Sequence, residues 1–303
     1  MVFSWSQEPQ TAQVTLKLKG KKGYLMNSEQ PFNQQPIFLL GISKRSGTNF
    51  FYQALSRHPD CYRAKYGTTD TPRLNIGEDH LLYHADSLFE YVEKVCQPWA
   101  RRKNKPFHPD VKKALLKSIG EGLISYLHQQ TAGKPILTKT PSVRNLPYFF
   151  ELFPNARLLI LMRDGRAVVE SSVKSFGLSY EKAIEVWVTG ARTILAFDQE
   201  HKEMGLNYRL VKYEDLVTNP ASEMRRVLTF LELDPAAYDF TAPARLPIFF
   251  SSKFMNGNWK RSVVDKTPDF KPLERWRNWD IAMHERFNRA AGKEMEALGY
   301  EIS

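Results

Sequence analysis

The densest chemistry in the chain lies in GISKRSGTNF, Gly41–Phe50. A short apolar run, Gln35–Ser43, feeds a Ser-Gly-Thr turn. A helical pattern then starts at once, with Phe51, Leu55 and His58 at helical spacing. Strand, tight turn and helix in that order aim backbone N–H groups at one spot, where the helix dipole adds positive potential. Ser46 and Thr48 add hydroxyl donors, Lys44 and Arg45 add full charges, and Gly47 lets a ligand approach the backbone. The chemistry is anion binding. It is not the G-x-x-x-x-G-K-[ST] loop of nucleotide hydrolases, because five residues separate Gly41 from Gly47 and no lysine stands between Gly47 and Thr48.

A second constellation is LLILMRDGRAVVESSVKSFG, Leu158–Gly177. An apolar strand ends in Arg163, Gly165 permits a turn, and Ser171 follows about two helical turns later. Arg163 and Ser171 can converge on a second phosphate, although a strand-end Arg-Asp pair is as often a structural ion pair. Asp164 sits where a magnesium-holding carboxylate would be wanted, but Arg163 competes for it. A nucleotide kinase is therefore disfavoured.

These residues need strands to present them. Apolar runs at Gln35–Ser43, Pro135–Thr140, Ala156–Asp164 and Tyr208–Leu216 read as strands. Between and after them, helical patterns cover Asp110–Gln130, Arg144–Phe153 (capped by Ser142), Arg166–Ser175, Glu181–Met204, Ala221–Leu231 and Ala282–Leu298. Strands separated by helices predict an α/β fold: a single domain, 1–303, with a central, mainly parallel sheet flanked by helices. An N-terminal hairpin is expected over 11–28, and an ordered loop or lid region over 243–279. Ligands bind at the carboxyl ends of such strands. The residues there are Lys44–Thr48, Lys139, Arg163–Arg166 and Tyr213.

Composition narrows the field. The chain has 303 residues, 42% hydrophobic and 25% charged, which excludes disordered and coiled-coil classes. No apolar run approaches the roughly 18 residues of a membrane span, and the first ten residues do not read as a secretory signal. Cys61 and Cys96 are too few for a disulfide framework and read as plain apolar residues. A cytoplasmic protein is expected. A formal charge of +10 favours an anionic partner. Nucleic acid is not the expected one, for no basic helix carries interleaved base-reading residues. His58 and His84 read as surface residues.

Taken together, the two motifs resemble those of the sulfotransferases that use 3′-phosphoadenosine-5′-phosphosulfate (PAPS). KRSGTNF is similar to the family's 5′-phosphosulfate loop and MRDGRAVVESSVKSF to its 3′-phosphate motif. YEDL, Tyr213–Leu216, resembles a further signature, and LTKTP, Leu137–Pro141, lies where the family often has a lysine. The tyrosylprotein-sulfotransferase-like branch is nearest in flavour, through RDGRA, a Gly-Glu segment after the first helix and a basic loop before a final Trp. The resemblance runs from about Pro36 to Trp276 in unbroken motif order. Lys44 stands where that branch usually has Pro, and Asn49 where a second Thr is usual.

The resemblance implies the sulfotransferase fold, PAPS as donor, 3′,5′-adenosine diphosphate as product, and no metal. It assigns cofactor binding to Lys44, Arg45, Ser46, Gly47, Thr48, Asn49, Phe50, Arg163, Ser171 and Tyr213. Lys260, Arg261 and Lys271 are expected to close over the 3′-phosphate. Arg45 and Lys139 would neutralise the leaving phosphate, and Glu78 or His80 in IGEDHL would take the acceptor's proton. The expected acceptor is a small-molecule hydroxyl or amine, with peptide tyrosine as the alternative.

Overall fold

The computed structural model describes residues 35–63, 109–128, 134–255, 258–264 and 271–302, with a few positions between 82 and 94; for 248–255 and 258–264 it gives the course of the backbone. The expected hairpin at 11–28 lies outside the described residues, as do Glu78, His80 and His84.

Five parallel strands form one sheet in the order β2-β3-β1-β4-β5. They are β1 (Ile37–Gly41), β2 (Tyr62–Arg63), β3 (Ile136–Thr140), β4 (Arg157–Met162) and β5 (Tyr208–Lys212). β1, β3 and β4 are buried along their whole length, as expected of strands covered on both faces. Their side chains alternate between two cores. Phe38, Leu40, Leu158 and Ile160 pack with Val169, Trp187 and Phe287. Ile37, Leu39, Leu137 and Leu159 pack with Phe51, Leu55, Val227 and Leu228 on the opposite face.

The helices that supply those faces are α1 (Thr48–Leu55), α2 (Pro109–His128), α3 (Phe149–Leu152), α4 (Gly165–Phe176) and α5 (Tyr180–His201). After β5 come α6 (Tyr213–Thr218), α7 (Pro220–Phe230), α8 (Ala242–Arg245) and α9 (Ile281–Ala297). No helix among the described residues is long and apolar enough to cross a membrane.

Four sequence expectations are corrected. The strand expected over Tyr208–Leu216 stops at Lys212, and Tyr213 opens α6. Glu214 and Asp215 in the first turn complement the helix dipole there. The helix expected over Arg144–Phe153 breaks into a 3₁₀ turn, Leu146–Tyr148, and α3, because Asn145 adopts φ 62° and Pro147 follows. The region 243–279 is not all loop. β6 (Ile248–Met255) and β7 (Asn258–Val264) pair antiparallel, closing at Met255↔Asn258. The intervening Asn256-Gly257 is a strong hairpin signal in the sequence. Finally, His58 is buried, not on the surface. Its Nδ1 accepts from the Asp60 N–H at 3.1 Å, so Nε2 carries the proton it donates to the Asp234 carbonyl at 2.9 Å. Cys61 is buried and free, and burial pushes its thiol up to about 12.

Candidate functional site

Strand order brings the two sequence constellations together. β1 and β4 are neighbours, with Gly41 opposite Leu161, and the Ile42 N–H continues the pairing to the Leu161 carbonyl at 2.9 Å. The loop leaving β1 and the corner leaving β4 therefore emerge side by side at the carboxyl edge of the sheet. Lys139, on β3, lies opposite Leu39 on the other flank of β1. Strand parity puts it on the face that packs against α1, and it is buried there.

The loop is tightly wound. Arg45 has φ 73° and Gly47 φ 100°. A Cβ on Gly47 would stand 2.3 Å from Tyr213 Cδ2, so only glycine fits both the backbone and the neighbour. A Cβ on Gly41 would meet Ser46 Oγ at 2.4 Å. Ser46 is fully buried and its Oγ has no hydrogen-bond partner among the described residues. An orphaned buried hydroxyl inside a turn of this kind is a donor waiting for an acceptor. Thr48 is buried, Asn49 and Phe50 are half-buried, and Phe50 packs edge-on to Tyr213 with ring centroids 6.0 Å apart. Lys44 is exposed.

The corner is fixed from several sides. Asp164 caps α4, accepting from the Arg166 N–H at 2.8 Å and from Arg166 Nη2 at 2.7 Å. Its own N–H donates to Glu214 Oε1 at 3.0 Å, and Trp187 Nε1 donates to the Arg163 carbonyl at 3.1 Å. Burial pushes the Glu214 carboxyl up. Asp164 is thus a structural carboxylate paired within its own motif. Arg163 is engaged as well. Its Nη1 donates to the Arg45 carbonyl at 2.7 Å, its Nη2 to the Pro272 carbonyl at 2.6 Å, and its guanidinium lies 4.4 Å from the Tyr213 ring centroid.

The two constellations touch at Ser171. Arg45 Nε donates to Ser171 Oγ at 2.9 Å, and Arg275 Nη1 approaches the same oxygen at 3.4 Å. Arg45 is lowered to about 10, first by burial and then by Arg275 and Arg163. Arg275 is lowered by burial and then by Arg163. The guanidiniums of Arg45, Arg163 and Arg275 thus cluster at one place, and clustered positive charge suits a multiply charged anion.

Of the expected site residues, the structure gathers Arg45, Ser46, Gly47, Thr48, Arg163, Ser171 and Tyr213 around this pocket. Lys271 is exposed, its Nζ 3.8 Å from Glu274 Oε2, and does not join them. The side chains of Lys260 and Arg261 lie outside the described residues. Sequence reasoning missed Arg275. It also gave no role to Trp187, Glu170, Trp276 and Trp279. Nothing local marks Arg275, Trp276 or Trp279; only the return of their segment, Pro272–Trp279, to α4 and its corner gives them a place.

The family model described as the sulfotransferase family matches residues 36–237, two thirds of the chain. The chain belongs to the sulfotransferase family. Among its relatives, human protein-tyrosine sulfotransferase 1 is 27% identical over 236 residues, covering 74% of this chain and 57% of that protein. Protein-tyrosine sulfotransferase A of Caenorhabditis elegans is 28% identical over 218 residues, covering 69% and 53%. The chain spans about half the length of these curated relatives. The sulfotransferase domain of the Synechococcus PCC 7002 olefin synthase shares the fold, with a TM-score of 0.55 and 21% identity, over 91% of this chain and 100% of that one. The sulfotransferase resemblance and the α/β fold expected from the sequence are thereby borne out.

Proposed function

We propose that this sulfotransferase moves a sulfuryl group from PAPS to the phenolic hydroxyl of a tyrosine in a peptide. The observation that carries the donor is the meeting of the 5′-loop and the α4 motif at Ser171, within hydrogen-bond reach of two guanidiniums. The residues fit a phosphosulfate and a phosphate. Ser46 holds a buried hydroxyl with no partner among the described residues, a Cβ on Gly47 would meet Tyr213, and the guanidiniums of Arg45, Arg163 and Arg275 meet beside Ser171. The similarity to proteins named protein-tyrosine sulfotransferases supports tyrosine over the small-molecule acceptor expected from sequence. The formal charge of +10 favours an acidic peptide around it.

PAPS supplies the sulfuryl group and leaves as the bisphosphate. The chain's tasks are positioning and charge stabilisation. The loop 44–48 holds the 5′ end, with Ser46 and Thr48 as hydroxyl donors. Arg45 and Lys139 balance the negative charge that grows on the departing phosphate. Arg163 and Ser171 serve the 3′ end, and Tyr213 walls the loop. Glu78 takes the acceptor's proton, with His80 the second candidate; such a base contributes about 10²–10⁴ in rate.

The test is incubation with PAPS and a tyrosine peptide flanked by acidic residues, read by mass spectrometry. A one-sulfate mass gain that disappears when phenylalanine replaces the tyrosine is the expected result. Sulfate appearing only on small phenols or amines would return the acceptor to the small-molecule class. No transfer to any acceptor would reject the reading.

A further inference from the structure

We propose that Tyr300, acting through Glu214, is a positioning residue for this reaction: it fixes the corner after β4 that clamps the loop after β1. The inference rests on the nucleotide reading above and deepens it. Tyr300 lies outside every motif of the sequence, and the end of α9 sets its place. The Gly299 N–H donates to the Glu296 carbonyl at 2.8 Å and the Tyr300 N–H to the Met295 carbonyl at 2.9 Å, the paired bonds of a helix C-cap. Gly299 supplies the left-handed turn, φ 73°, that such a cap needs. Lys212, at the end of β5, holds the segment in turn. Its Nζ donates to the Gly299 carbonyl at 2.6 Å and lies 4.6 Å from the Tyr300 ring centroid. The Tyr300 hydroxyl, so placed, donates to Glu214 Oε2 at 3.1 Å. Burial and the adjacent Glu214 push the Tyr300 phenol well up, so it stays a donor.

The other oxygen of Glu214 carries the effect to the site. Oε1 accepts from the Asp164 N–H at 3.0 Å. The last torsion of a glutamate is broad, so a donor on Oε2 decides where Oε1 points. The next N–H of the corner, that of Gly165, meets Met295 Sδ on α9 at 3.4 Å. Two successive corner N–H groups therefore lean on the end of α9 and on the segment after it. Arg163 leaves this corner and donates through Nη1 to the Arg45 carbonyl at 2.7 Å. Arg45 holds φ 73°, a backbone that a residue with a side chain keeps only where its neighbours over-determine it. The path from Tyr300 to the loop thus runs through Glu214, the corner and Arg163, in hydrogen bonds and covalent bonds throughout.

Calorimetric titration of the intact protein with 3′,5′-adenosine diphosphate tests the proposal. Tyr300→Phe, which removes one hydroxyl, should weaken the nucleotide by about 3- to 10-fold. Glu214→Ala should weaken it at least as much. Tyr300→Phe added to Glu214→Ala should cost nothing further, since the hydroxyl then has nothing to act through. Glu214→Gln, which keeps an acceptor for the Asp164 N–H, should recover part of the loss. Arg192→Ala is the structural comparison, for it cuts the 2.7 Å ion pair between α5 and Glu294 of α9. It should lower the melting temperature and leave the affinity within about 2-fold. Parent-like affinity in Tyr300→Phe would overturn the assignment, as would an equal loss in Arg192→Ala or a full further loss on the Glu214→Ala background. Should Glu214→Ala not fold, Tyr300→Phe against Arg192→Ala decides. Failure of the parent protein to bind the nucleotide would reject the nucleotide reading, and this inference with it, a result distinct from the others.

Discussion

At the scale of single residues, the address of Lys139 makes the proposed task testable. It is a lysine buried on a strand next to the central one, on the face that packs against α1. Long cationic side chains are rarely buried to this degree unless paired, so a phosphate beside it would be one suitable counter-charge. Lys139→Ala should lower turnover by about 10²- to 10³-fold, the usual effect of removing one group that stabilises transition-state charge. Affinity for 3′,5′-adenosine diphosphate should stay within a few-fold. Single-turnover kinetics beside a binding titration separate the two, and undiminished turnover removes Lys139 from the chemistry. Gly47 makes the complementary prediction about space. An added methyl would collide with Tyr213 at φ 100°, so Gly47→Ala must move the ring against which Arg163 stacks. Strain of about 1–3 kcal/mol should appear as a lower melting temperature, together with weaker nucleotide binding.

At the scale of elements, α4 is the hub. Its cap Asp164, its Arg166, Glu170 and Ser171, and the corner residue Arg163 hold the loop after β1 on one side and the segment Pro272–Trp279 on the other. Glu170 experiences burial, which raises its pKa, but hydrogen bonds from Lys174, Trp279 and Tyr180 outweigh this and leave it lowered. A carboxylate lowered in the folded state stabilises the fold above its unfolded pKa, near 4.5, and that contribution is lost as pH falls through the folded value. Glu170→Gln should therefore flatten the acid limb of the stability–pH curve and loosen the segment bearing Arg275. Urea unfolding across pH 3–7, about the range in which carboxylates titrate, measures this. An unchanged acid limb would contradict it.

How much the sequence disclosed also varies by element. β1, β4 and their turns were legible because a buried parallel strand must be an apolar run, and a phosphate turn must carry glycine, hydroxyl and charge close together. Arg45, Ser46, Gly47, Arg163 and Ser171 came with them. The end of β5 was not legible: Tyr208, Leu210, Val211 and Tyr213 favour a strand past its end, and only the acidic first turn of α6 tells the two apart. Arg275 was beyond reach for a different reason. Its place beside Ser171 depends on contacts across about a hundred residues of chain, which no local pattern encodes. Lys271, which the resemblance offered for the 3′-phosphate, is exposed beside Glu274 instead.

For the whole molecule, the positive charge and the pocket predict ligand linkage. At 100 times its dissociation constant, 3′,5′-adenosine diphosphate should stabilise the fold by about 2.7 kcal/mol and raise the melting temperature by several degrees. ATP with magnesium should do far less, because the loop lacks the lysine and the spacing of a triphosphate site. A reversed order would favour kinase chemistry.

The central claim is that one nucleotide spans the loop around Gly47 and the α4 motif at Ser171. A crystal structure of the complex with 3′,5′-adenosine diphosphate tests it most directly. The account predicts the 5′-phosphate on the N–H groups of residues 45–48 and the 3′-phosphate against Ser171, Arg163 and Arg275. A nucleotide seated elsewhere, or one reaching only one of the two places, would contradict it.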